Sequence, residues 1–97
     1  MQVHEHELYY QLCEAFRANV KEMDGGLGVP MHALTELVKD TDPRLTGNAA
    51  GRIAREFLQT VSGCTPTISS ARVGGRSYML YKLSGVKLGQ ISVENGD

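Results

Sequence analysis

Four polar side chains, Asn48, Arg52, Arg55 and Gln59, follow one another at intervals of four, three and four residues. At 100° per residue they fall within about 60° of one another on a helix. Long donor-bearing side chains grouped in this way suit the edges of nucleic-acid bases. An arginine bonds bidentately to guanine O6 and N7, and an asparagine or glutamine to adenine N6 and N7. Arg72 and Arg76 flank Gly74-Gly75 and would bring two cations to phosphates or to a neighbouring minor groove. Thr46 and Gly47 come just before the stripe. They are candidate phosphate contacts, because free backbone N–H groups at a helix N-terminus attract anions and glycine permits close approach.

Other chemistry is less well supplied. His4-x-His6 with Glu5 and Glu7 has metal-ligating types, but no second cluster completes a tetrahedral set. Asp40-x-Asp42 lacks the glycine and distal glutamate of a calcium loop, and it reads as a helix-ending turn. Gly25-Gly26-x-Gly28 has neither the helix fingerprint of a dinucleotide site nor the Gly-Lys-Ser/Thr of a P-loop. His32 is isolated. The expectation is a protein that is not an enzyme and uses no cofactor and no metal.

The elements that must position the stripe are readable from periodicity. Leu8, Leu12, Phe16 and Val20 lie at four-residue spacing within a helix expected over Glu5 to Glu22, with Asp24-Gly25-Gly26 as its stop. Leu27-Gly28-Val29 is a short extended segment, since Pro30 biases the preceding residue towards extended geometry. A second helix is expected from Pro30 to Lys39, with Ala33, Leu34, Leu37 and Val38 inward. The turn from Asp40 to Gly47 follows, with Leu45 as its anchor. Thr46 or Asn48 caps the third helix, which buries Ala50, Ile53, Ala54, Phe57 and Val61 and ends at Ser62 before Gly63. From Thr67 to Leu83 the period changes to two around Gly74-Gly75, which predicts a tight hairpin pairing Arg72 with Ser77, Ser70 with Met79 and Ile68 with Tyr81.

The class is therefore α+β, in the order helix, strand, helix, helix, strand, strand. Residues 1–85 form a single domain, and 86–97 are a polar tail or an extra edge strand. With 97 residues there is room for one core. No apolar run approaches the ~20 residues of a membrane span, and no secretory leader is evident. Cys13 and Cys64 have no metal-like spacing. A cytoplasmic protein with reduced thiols is expected, with Cys13 as a buried hydrophobe.

That order resembles the winged helix-turn-helix superfamily over about residues 5 to 83. The resemblance rests on Leu27-Gly28-Val29 as the first strand, Asn48 to Ser62 as the recognition helix and Thr67 to Leu83 as strand, wing and strand. The stretch Ala49 to Tyr81, with Arg72-Val73-Gly74-Gly75-Arg76, is also similar in style to winged-helix segments of phage and plasmid primase-helicases. The resemblance implies duplex DNA as partner and a role as a transcriptional regulator or a replication or mobile-element accessory factor. One departure is the eight-residue turn before the third helix, where three or four are usual.

Charge divides along the chain. Residues 1 to 43 carry three basic and eight acidic side chains, a balance of −5, whereas residues 44 to 97 carry seven basic and three acidic ones, a balance of +4. The basic half holds the stripe and the hairpin. The net charge of −1 and a pI near 6.3 are unusual for a DNA-binding domain and suit the alternative, a winged-helix module that docks on or regulates another protein, of phage or plasmid origin. Tyr9 and Tyr10, with Tyr78 and Tyr81, are candidate anchors of a protein interface, and Tyr9 and Tyr10 with residues 86–93 are where a homodimer would form.

Overall fold

The computed structural model describes residues 3 to 91. Its first helix, α1 (Val3–Asn19), turns Leu12, Cys13 and Phe16 into the core, as the four-residue spacing requires. It ends three residues earlier than the sequence pattern suggests. The Asn19 side-chain amide donates to the Ala15 carbonyl at 2.8 Å, and the chain then becomes extended. Lys21–Met23 forms β1 and Gly26–Pro30 forms β2, joined by Asp24-Gly25 with Gly25 at φ 81°. The glycine-rich stretch expected to stop a helix is therefore a hairpin turn. The physical reason is β2: its Leu27 and Val29 are fully buried and its backbone is satisfied by pairing on both sides, which carries β1 along as an edge. A Cβ at Gly28 would run into the Met23 side chain folded across it, which would have to swing aside.

Helix α2 (Met31–Thr41) begins after Pro30 and buries Leu34 and Val38. It runs two residues beyond Lys39, with the Thr41 hydroxyl donating to the Leu37 carbonyl at 3.1 Å. The connection to the next helix is therefore Asp42 to Thr46, shorter than the expected Asp40 to Gly47, and its Leu45 packs against the core. Helix α3 (Gly47–Ser62) has both expected boundaries. The Thr46 side chain accepts from the Ala49 N–H at 3.1 Å, and Gly63 at φ 71° closes the other end, its N–H donating to the Gln59 carbonyl at 2.8 Å.

The remaining strands, β3 (Thr67–Val73) and β4 (Arg76–Ser84), pair in the register the sequence predicts: Arg72 with Ser77, Ser70 with Met79 and Ile68 with Tyr81. Gly74 and Gly75, at φ 60° and 81°, make the two-residue turn. Among the described residues four antiparallel strands lie in the order β1-β2-β4-β3, so the class is α+β with three α-helices and one sheet, and the element order gains a strand ahead of the expected first one.

Cross-strand neighbours share a face. Leu27 opposite Leu83 and Val29 opposite Tyr81 join Phe16, Leu34, Val38, Ala54 and Leu58 in one core, so the helices cover one side of the sheet. Beyond Ser84 no further strand forms among the described residues. In the segment expected as a polar tail or an extra edge strand, a 3-10 turn spans Leu88–Gln90, and Val86 and Ile91 pack on the core; residues 92–97 lie outside the described ones. Cys13 is wholly buried, as expected. Among the described residues no helix is long and apolar enough to cross a membrane.

Candidate nucleic-acid interface

Helix α3 divides cleanly around its axis. Ala50, Gly51, Ala54, Phe57, Leu58 and Val61 are buried, while Ile53 is only half-buried, at the edge of α3 next to α1. Asn48, Arg52 and Gln59 are exposed, with Glu56 beside them. Arg55 differs from the expectation. It sits at the edge of the exposed face, partly buried, with its guanidinium turned towards Tyr81 on β4. The stripe therefore has three outward members and one that reaches sideways to the sheet.

Gly51 makes that reach possible. A Cβ at this position would stand 3.3 Å from Arg55 Nη1 and 3.5 Å from Tyr81 Oη, so the two polar ends meet over a bare Cα. Tyr81 is wholly buried, and its Oη is left without a hydrogen-bond partner. Arg55 favours the ionised phenol through its charge and through hydrogen bonding to the phenolate, whereas to the neutral hydroxyl it makes no bond of good distance and angle. Burial raises the Tyr81 pKa and outweighs the lowering by Arg55, so the hydroxyl keeps its proton at neutral pH. A buried hydroxyl without a partner costs roughly 1–3 kcal/mol. Tyr81 was an anchor candidate on sequence grounds; its burial excludes it from direct contact with a protein partner.

The hairpin contributes to the same side of the molecule. Tyr81 faces the helices, so by strand alternation Ile68, Ser70, Arg72, Ser77 and Met79 do so as well. Ile68, on the edge strand β3, and Met79 are 53% and 48% exposed. Arg76 pairs with Val73 and points to the opposite face of the sheet, so the structure separates the two arginines that the sequence placed together at the tip.

Between α2, the first half of α3 and the hairpin lies a cleft of about 430 Å³. Lys39 and Arg55 supply its cations, Asn48 a side-chain amide, and Met31, Ile68 and Tyr81 its apolar wall. Lys39 and Ile68 were not singled out in the sequence. The one local signal was Gly51, a glycine inside a helix, which marks close approach of another group. Thr46 uses its oxygen to cap α3, whereas Gly47 is exposed with open space where a Cβ would stand.

The expected Tyr9 and Tyr10 pair splits. Tyr9 is half-buried and meets the Phe57 ring edge-on at a centroid distance of 5.7 Å, while Tyr10 is 45% exposed. His32 and Glu36 form an exposed pair at 3.4 Å along α2. The side chains of His4 and His6 lie outside the described residues. Among the described residues no three histidine, cysteine or acidic side chains gather where a metal could be held. In comparisons with known proteins the chain matches no family model, no curated protein and no solved structure.

Proposed function

We propose that this chain is a winged-helix protein that binds duplex DNA, as a transcriptional regulator or as a replication or mobile-element accessory factor. Helix α3 enters the major groove and the β3–β4 hairpin lies beside it as the wing. The observation that carries this reading is that the first half of α3, with Asn48 and Arg55, and the helix-facing side of the hairpin, with Ile68, line one cleft, and that Asn48, Arg52, Gln59 and Arg72 are exposed. The helix, strand, helix, helix and hairpin order also supports it, with β1 as an addition at the sheet edge.

The division of labour follows from chemistry. The major groove is roughly 12 Å wide and admits a helix. Arg52 reads guanine through two bonds, and Asn48 and Gln59 suit adenine. Lys39, Arg55 and Arg72 hold phosphates, which fix register without reading sequence. Gly47 lets a further phosphate approach the α3 N-terminus.

Backbone amide shifts on addition of a random-sequence duplex test this directly. Perturbations confined to the last turn of α2 around Lys39, to Thr46–Gln59 and to the hairpin are the predicted result, and shifts centred on α1 would contradict it. A second reading, a protein-docking module, is favoured by one observation: Ile68 and Met79 are large apolar side chains left exposed on the wing.

A further inference from the structure

We propose that the cleft between α2, α3 and the β3–β4 hairpin is a binding site for a small phosphomonoester with an apolar or aromatic body, of about the size of a nucleoside monophosphate. The inference goes beyond the DNA reading and does not depend on it. Its volume of about 430 Å³ lies in the range of roughly 300–1,000 Å³ typical of small-molecule sites, well beyond the needs of a bare phosphate.

Two kinds of wall meet in this cleft. Lys39 and Arg55 bring two positive charges, and none of the described residues lining it is acidic. A phosphomonoester carries about −1.5 to −2 charge at neutral pH, which these two cations match. Asn48 belongs to the first turn of α3, a sixteen-residue helix whose N-terminal end is electropositive. Met31 and Ile68 offer the apolar side, and Ile68 is 53% exposed in the free protein. A ligand with an apolar body would cover it.

Tyr81 supplies the independent pointer to a ligand. Its ring lines the cleft, its side chain is fully buried and its Oη has no hydrogen-bond partner. Buried hydroxyls are almost always partnered, and one that is not calls for an explanation, of which a bound ion is one. Gly51, which has no Cβ, lets Arg55 and Tyr81 bring their polar ends side by side. A phosphate that draws the Arg55 guanidinium outward would let one of its oxygens reach the Tyr81 hydroxyl and accept its proton.

Calorimetric titration of the whole chain, without DNA, tests this with adenosine monophosphate, inorganic phosphate and adenosine as separate probes. The expected result is one equivalent of adenosine monophosphate, bound at least about ten-fold more tightly than either inorganic phosphate or adenosine. Tyr81→Phe should weaken it about five-fold, the effect of one lost hydrogen bond, with no fall in melting temperature. Lys39→Gln, an exposed change that leaves the core untouched, should weaken it by at least as much. No heat with adenosine monophosphate, or binding that both variants retain in full, would overturn the proposal. Because DNA is absent, failure here leaves the DNA reading standing, and failure to bind DNA leaves this site standing.

Discussion

Arg55 on α3 and Tyr81 on β4 meet across Gly51, their polar ends 3.3 and 3.5 Å from where a Cβ of residue 51 would be. Gly51→Ala therefore probes the contact with little risk to the fold. The methyl group presses on the far end of a flexible arginine, and replacing glycine inside a helix gains about 1 kcal/mol of helix propensity. The melting temperature should stay level or rise. DNA affinity should fall about three- to ten-fold as the guanidinium is displaced, read by fluorescence anisotropy.

Tyr81→Phe removes a buried hydroxyl that has no partner, so stability at neutral pH should be unchanged or raised by about 1 kcal/mol. The alkaline limb separates the two proteins further. Burial raises the Tyr81 pKa above the ordinary tyrosine value of about 10, so the folded state holds this proton more tightly than the unfolded state. The stabilising contribution is complete below about pH 10 and is lost as pH rises towards the folded pKa. Urea midpoints measured from about pH 8 to pH 11 should fall more steeply for the wild type than for the variant.

Thr46→Ala removes the cap of α3 while leaving every arginine in place. The expected cost is about 1 kcal/mol, or roughly 4–8 °C in melting temperature for a domain of this size. Thr46→Ser should restore most of it. A thermal melt of the three proteins settles whether the Ala49 N–H bond to Thr46 holds the helix start as the structure implies.

The two hairpin arginines should behave differently. Arg72 lies on the helix-facing side of the hairpin and Arg76 on the reverse. Arg72→Ala should weaken DNA binding by several-fold and lower the salt dependence by about one phosphate contact, while Arg76→Ala should leave both nearly as they were. Equal losses would mean that the wing lies across the DNA edge-on.

Local sequence rules made some parts of this molecule legible and left others hidden. The Gly74-Gly75 turn fixed the β3–β4 register because two adjacent residues with positive φ allow one tight hairpin and little else. Thr46 and Gly63 marked both ends of α3, since each forms its cap with a neighbour in sequence. The first hairpin was hidden because Asp24-Gly25-Gly26 serves equally as a helix stop or a strand turn, and only pairing with the distant β4 decides between them. The exposed stripe of α3 was visible from its period, but the inward turn of Arg55 was not. That turn depends on Tyr81, twenty-six residues further along and brought near only by the sheet. For the same reason the cleft that joins Lys39, Arg55 and Ile68 exists only in three dimensions.

The most direct test of the DNA-binding account is the salt dependence of anisotropy with a labelled random-sequence duplex, comparing wild type with an Arg52→Ala/Arg55→Ala variant. Four or five phosphate contacts predict a slope of log K against log salt near −4, at about −0.9 per contact, and a clearly shallower slope with weaker binding in the variant. A slope near zero in the folded wild type, or equal slopes and affinities in the two proteins, would contradict the account.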